Sequence, residues 1–341
     1  MSENVTSGVR TETIETAKDI ARIFRSKNIP TYFHSAPGIG KSDIMKQLAA
    51  EDESGFIDVR VGTMLPEDLT GIPVPDLEKK LAVWLRAAFW PDVNRDGPKG
   101  IIAFDELSDA PRQLQSCIYR VILDRQIGDY KLPDGWWPVA AGNRREDRAA
   151  AQSLSSALAN RFAHVHIRAD AECWGHWANL NGIDPMLIGF IKYRPNLIHS
   201  MEGADLLAFP SPRSWASASK VFDAPEGMRF KLVAAIVGEG AALEVETYFK
   251  TAELPDLEDI LSNPMKADIP DAPAGRYALS ALLARSTTKD TFPAIYKYIN
   301  RDGFGADFST VVVLDATKRD STLCDTPTFV TWAKNNKSLH I

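Results

Sequence analysis

Cysteine is scarce: three residues, Cys117, Cys173 and Cys324, with no CxxC spacing in 341 positions. This excludes a disulfide framework and a zinc ribbon, and a reducing cytoplasm is the expected compartment. No apolar run approaches the roughly 18 residues that span a bilayer, and Met1-Ser2-Glu3-Asn4 opens no basic-then-apolar leader, so no membrane partner is expected. A basic excess is also missing. Lys and Arg number 39 against 45 Asp and Glu, a formal charge of −6, which gives no global attraction to nucleic acid. Internal repeats, low-complexity tracts and coiled-coil heptads are absent as well. What remains, 45% hydrophobic and 25% charged, is ordinary globular composition at a length that suits two domains.

The densest signal is Ser35-Ala36-Pro37-Gly38-Ile39-Gly40-Lys41-Ser42, between the apolar run Thr31 to Phe33 and the helix-favouring stretch Asp43 to Ala50. A glycine-rich turn entering a helix N-terminus presents backbone N–H groups and a positive dipole end to phosphate oxygens. In the P-loop pattern the lysine reaches the β- and γ-phosphates and the next hydroxyl binds Mg²⁺, which assigns Lys41 and Ser42. The first glycine of that pattern is Ser35 here. If the position required positive φ, serine would cost on the order of 1 kcal/mol.

Residues 14 to 27 carry apolar groups at helical spacing, and Phe56 to Val61 alternates as a strand. Gly71 to Pro75 and Leu81 to Leu85 read as an exposed hairpin, with prolines that favour edge strands. Gly100-Ile101-Ile102-Ala103-Phe104-Asp105-Glu106 is a continuous apolar run ending in two carboxylates, the pattern of a buried parallel strand. It reads as a Walker B strand, with Asp105 as the Mg²⁺ ligand and Glu106 as the base that orients and deprotonates water. Arg112 to Asp124 is helical and Arg125 to Leu132 a short hairpin. Trp136 to Gly142 is another buried strand with Asn143 at its carboxyl end. Taken alone such an asparagine is a turn former; placed on the strand after Walker B it becomes a candidate ligand contact. Leu154 to Phe162 is a short helical stretch before the strand Val165 to Ile167. Taken alone, Arg161 there reads as a cation complementing the helix C-terminal dipole. His164 and His166 lack metal-ligand spacing and read as structural. Beyond residue 168 only helical patterns follow, with an elbow at Ala208 to Pro212 and Arg213 just after it.

Taken together, these motifs resemble those of AAA+ ATPases, and most closely the MoxR branch. The likeness rests on Ser35 to Ser42, the insertion Leu65 to Pro91, Phe104 to Pro111 and Asp124 to Pro133, and covers roughly residues 14 to 222. It implies a P-loop NTPase α/β fold: a parallel five-stranded sheet flanked by helices, then an all-helical lid and C-terminal region. The implied domains are residues 1–205, with a helix-2 insert hairpin at 65–91 and a pre-sensor-1 hairpin at 124–133, and residues 206–341. Asn143 matches sensor 1, Arg161 the arginine finger and Arg213 sensor 2. Arg144, Arg145 and Arg148 are rivals for the finger, since Gly142-Asn143-Arg144-Arg145 departs from the usual sensor-1 surroundings. The resemblance further implies ATP and Mg²⁺ as ligands, ATP hydrolysis in a homo-oligomeric ring, hexameric by family habit, and a client protein such as one with a von Willebrand A domain. The alternative is a motor or loader on DNA or RNA, with Lys79, Lys80 and Arg86 on phosphates and Asp76 and Glu78 diluting them. A non-hydrolysing nucleotide-gated scaffold is disfavoured by the presence of Glu106.

Overall fold

The computed structural model describes residues 5–6, 9–144, 154–201, 207–252 and 254–336. The chain divides into two compact units, Met1–Arg168 and Ala169–Ile341. The division falls where the sequence turns from interleaved strands and helices to helices alone.

The first unit begins with β1 (Val5–Thr6), β2 (Val9–Arg10), α1 (Ile14–Ser26), β3 (Thr31–His34), α2 (Lys41–Glu51) and β4 (Gly55–Arg60). The insertion follows as α3 (Pro66–Thr70), β5 (Ile72–Asp76), β6 (Leu81–Leu85) and α4 (Val93–Asp96). Then come β7 (Gly100–Asp105), α5 (Arg112–Asp124), β8 (Gln126–Ile127), β9 (Tyr130–Lys131), β10 (Trp136–Gly142), α6 (Ser156–Ala159) and β11 (Ala163–His166). Five strands form one sheet in the order β11-β3-β10-β7-β4. Every pairing in it is parallel. This is the five-stranded parallel sheet of a P-loop NTPase, as the sequence pattern predicts. β7 and β10 are buried along their whole length, which is why both read as unbroken apolar runs. Ile102, Phe104 and Tyr32 pack with Leu114, Ile118 and Val121 of the amphipathic α5. The indole of Trp136 lies across the amino ends of two neighbouring strands. A Cβ on Gly100 would come within 2.6 Å of it and one on Gly55 within 2.7 Å, so both positions need glycine.

The second unit contains α7 (Ala171–Leu180), α8 (Pro185–Tyr193), α9 (Pro212–Ala218), α10 (Glu226–Val237) and α11 (Glu239–Thr251). After these come α12 (Leu257–Ser262), α13 (Pro273–Ser286), α14 (Phe292–Ile299), α15 (Ala306–Arg319) and α16 (Pro327–Asn335). One core gathers Trp174, Phe190, Trp215 and Tyr248, and a second gathers Phe292, Tyr298, Phe304 and Trp332. Between α8 and α15 the buried Lys192 Nζ meets Asp315 Oδ2 at 2.6 Å. No helix among the described residues is long and apolar enough to cross a membrane.

Candidate active site

The carboxyl ends of β3, β7 and β10 lie side by side in the sheet, where a parallel α/β fold collects its ligand groups. From β3 the chain passes through Ser35 to Gly40 and enters α2 at Lys41. Gly38 and Gly40 take φ of +80° and +109°, conformations that L side chains resist. Gly40 stands at the N-cap of α2 with no side-chain cap, so the first turn keeps its polarity toward the loop. Ser35 is not among the residues with positive φ, and it is fully buried. Serine therefore carries no backbone penalty in place of the pattern's first glycine.

Lys41 Nζ donates to the Ser35 carbonyl at 3.0 Å, Ser35 Oγ at 3.1 Å, the Ala36 carbonyl at 3.3 Å and Asn143 Oδ1 at 3.0 Å. The sequence-predicted lysine and strand-end asparagine thus meet across 102 residues of chain. Ser42 Oγ donates to Asp105 Oδ2 at 2.5 Å, which brings together the two oxygen groups expected at a metal. Asp105 Oδ1 accepts the Glu106 backbone N–H at 2.9 Å. Glu106 itself takes φ 59° and ψ 31°, a left-handed conformation that costs a non-glycine residue about 1 kcal/mol. Its carbonyl accepts the Asp109 N–H at 2.9 Å, and its Oε2 lies 3.2 Å from where Gly62 would carry a Cβ. The side chain is exposed at the end of a buried strand.

Ser108 is a site residue to which the sequence reading assigns no role. Its Oγ accepts the Asn143 N–H at 3.1 Å and pairs with Asp109 Oδ1 at 3.1 Å, so it fixes the end of β10. Tyr32 reaches the same group, and burial pushes its hydroxyl well above the ordinary tyrosine range. A Cβ on Gly142 would fall 2.0 Å from the Tyr32 hydroxyl and 2.8 Å from Ser108 Oγ, so glycine lets β10 pass between them. The available signal is position: Ser108 lies two residues past Glu106, inside the stretch Phe104 to Pro111.

Arg161 is not tied to this cluster. It follows α6, is exposed, and sits with its guanidinium 5.7 Å from the Tyr119 ring centroid on α5. Its Nη2 lies 3.5 Å from the Tyr119 hydroxyl. Arg144 directly follows Asn143, and its charge acts on His34. Arg145 and Arg148 lie outside the described residues. Arg213 is exposed in the first turn of α9 in the second unit.

Fold and loop together define a P-loop NTPase fold. No family model matches the chain, and no curated protein matches it. Among solved structures, the chain is similar to a RuvB variant from Thermotoga maritima, with 17% identity, 84% of each chain covered and a TM-score of 0.38. It is also similar to NtrX from Brucella abortus in complex with ADP, with 14% identity, coverage of 93% of this chain and 68% of that one, and a TM-score of 0.36. Likenesses this distant assign no residue role to the chain.

Proposed function

We propose that this chain is an AAA+ ATPase of MoxR type, which hydrolyses Mg-ATP in a homo-oligomeric, hexameric ring and uses the turnover to remodel or activate a partner protein. The observation that carries this reading is the joined pair of contacts at the carboxyl ends of the three central strands, Lys41 to Asn143 and Ser42 to Asp105, with Glu106 directly after Asp105. The backbone N–H groups of Gly38 to Ser42 and Lys41 Nζ take the phosphates. Ser42 and Asp105 offer the hard oxygen ligands that Mg²⁺ prefers, and an ion held there would offset charge on the phosphate oxygens.

In hydrolysis, Glu106 accepts a proton as the water oxygen bonds to the γ-phosphorus, and the bond to the β–γ bridging oxygen breaks to release ADP and phosphate. Asn143 holds water or a γ-phosphate oxygen. Lys41 exchanges the carbonyls of Ser35 and Ala36 for phosphate oxygens. Arg161, resting on Tyr119, serves a neighbouring subunit as the finger, a contribution of roughly 10³ to 10⁵ in rate. By the family resemblance Arg213 is the sensor-2 arginine.

A protein client is favoured over nucleic acid by the insertion hairpin. Leu77 is 84% exposed and Ile72, Leu81, Trp84 and Leu85 are exposed with it. Two of the three cations that could contact phosphate are spoken for, Lys79 by Asp76 at 3.2 Å and Arg86 by Asp92 at 2.6 Å. A cavity of about 420 Å³ opens between the two hairpins, lined in part by Trp84, Arg86, Trp90 and Tyr130.

The test is phosphate release by purified protein over a range of concentrations, with Lys41→Ala and Arg161→Ala subunits alone and mixed. Each variant is expected to be nearly inactive alone and the mixture partly active. A wild-type protein that neither binds ATP nor releases phosphate at any concentration overturns the reading.

A further inference from the structure

The carboxyl ends of β3 and β11 carry three histidines in register. Tyr32 pairs with His164 and His34 with His166. Since alternate residues of a strand share a face, all four rings lie on one side of the sheet. His34 and His166 stack at 4.3 Å with 8° between planes. His34 Nε2 lies 2.8 Å from His164 Nδ1, and His164 Nε2 lies 2.8 Å from the Ala159 carbonyl.

The partners fix the protons. A carbonyl can only accept, so His164 Nε2 carries hydrogen and donates to Ala159. In the neutral ring Nδ1 is then an acceptor, and His34 Nε2–H donates to it. His34 is faced by His166, His164, Lys41 and Arg144, and burial together with these groups drives its basicity down to about 3. It is neutral at pH 7.

This chain of bonds starts at the residue immediately before Ser35, whose carbonyl and hydroxyl hold Lys41 Nζ. It ends on the last residue of α6, two positions ahead of Arg161. α6 is four residues long, too short to hold its own geometry, so outside contacts set the placement of the turn that bears Arg161.

We propose that His164 is a positioning residue, which carries the state of the nucleotide loop from His34 to the backbone of the Arg161 turn. This rests on the reading of Arg161 as the arginine that serves a neighbouring subunit's nucleotide. Phosphate that draws Lys41 away from Ser35 and Ala36 releases the loop end beside His34. The imidazole pair passes that change to Ala159, so Arg161 is placed according to whether its own subunit holds nucleotide. His164 touches neither phosphate nor water in this scheme. Its ring is exposed, so replacing it leaves the core intact.

Two substitutions cut the chain at different points. His164→Asn keeps an acceptor near the Nδ1 position and the bond from His34, but cannot reach Ala159. His164→Gln keeps a donor toward Ala159 but loses the His34 bond. The experiment measures nucleotide Kd, kcat, and hydrogen exchange of residues 154–162 with and without ADP, for wild type, both His164 variants and Arg161→Ala. Both His164 variants are expected to keep Kd within about twofold and lose about fivefold or more in kcat, while the ADP-dependent change in exchange disappears. Wild-type kcat and a preserved exchange response in both variants, with turnover collapsed in Arg161→Ala, overturn the proposal alone. Full turnover in Arg161→Ala overturns the finger reading instead. The exchange response then decides the link: its loss in both His164 variants supports it and its survival overturns it.

Discussion

Ser42 Oγ and Asp105 Oδ2 lie 2.5 Å apart, joining the first turn of α2 to the carboxyl end of β7. The hydroxyl spends its hydrogen on the carboxylate, which leaves its lone pairs free to face a cation. The hydrogen bond therefore orients one ligand by means of the other. Removing it should affect metal-dependent binding far more than the nucleotide's contacts with the loop.

Ser42→Ala is accordingly expected to weaken ATP binding in the presence of Mg²⁺ by about tenfold or more, and to change it little when EDTA removes the ion. Isothermal titration under both conditions gives the two affinities. Equal losses with and without Mg²⁺ would place Ser42 on the phosphates rather than on the metal.

Glu106 combines an exposed carboxylate with a left-handed backbone at φ 59°. Such strain at a candidate base points to function, because glycine would hold the same turn at lower cost. Glu106→Gly should raise stability by about 1 kcal/mol, a melting shift of roughly 1–3 °C in a chain of this size. Turnover should fall by about tenfold or more with nucleotide binding kept. Glu106→Gln should lose the same turnover with no gain in melting temperature, which separates the carboxylate from the backbone.

His34 gives the fold an acid sensitivity of defined sign. Burial, then His166, His164, Lys41 and Arg144, lower it to about 3, while the unfolded chain protonates near the ordinary histidine value of about 6.5. Between these values the unfolded state binds the extra proton, so stability falls as pH drops below about 6.5. Going from pH 7 to pH 4 should cost on the order of 2–3 kcal/mol through this residue. Denaturant unfolding of wild type and His34→Gln across that range checks it. The variant should lose less stability on acidification.

Much of the first unit was legible because its signals are local. Ser35 to Ser42 and the run from Gly100 to Glu106 state their strand, turn and helix within a few residues, and the sheet brings them together as the pattern implies. The doubt over Ser35 was a question of one φ angle, which composition and spacing do not encode. Ser108 was hidden for a related reason. A serine in a short turn reads as a turn former, and only the sheet order sets its hydroxyl against the Asn143 N–H. The His34 and His164 pair depends on strand register across 130 positions of chain, so the sequence showed only His164 and His166 beside a strand and nothing at His34. In the second unit successive helical patterns gave the class of structure, but which helix faces which is fixed by packing of Trp, Tyr and Phe side chains without a periodic signature.

The clearest such case is Lys192 on α8 and Asp315 on α15, whose side chains are 1% and 2% exposed and meet at 2.6 Å. Glu172 Oε2 adds a second contact to Lys192 at 3.2 Å, and His176 Nδ1 lies 3.1 Å from Asp315 Oδ1. Burial alone would lower the Lys192 ammonium, but Asp315 and Glu172 overcome it and hold it above its ordinary value. Burial likewise opposes ionisation of Asp315, and His176 and Lys192 hold it below the usual carboxylate range all the same. The stability contributed by Asp315 is therefore present above the unfolded carboxylate pKa of about 3.9 and is lost as pH falls through the lower folded value. Asp315→Ala leaves the buried ammonium with only the more exposed Glu172 as a partner and should cost about 3 kcal/mol. Replacing both partners, Lys192→Met with Asp315→Leu, removes the charge and its desolvation together and should cost much less than the single change. Denaturant unfolding of wild type, Asp315→Ala and the double variant measures the difference. If the double variant proved as unstable as the single, the cost would lie in the packing of α8 against α15 rather than in the buried charge.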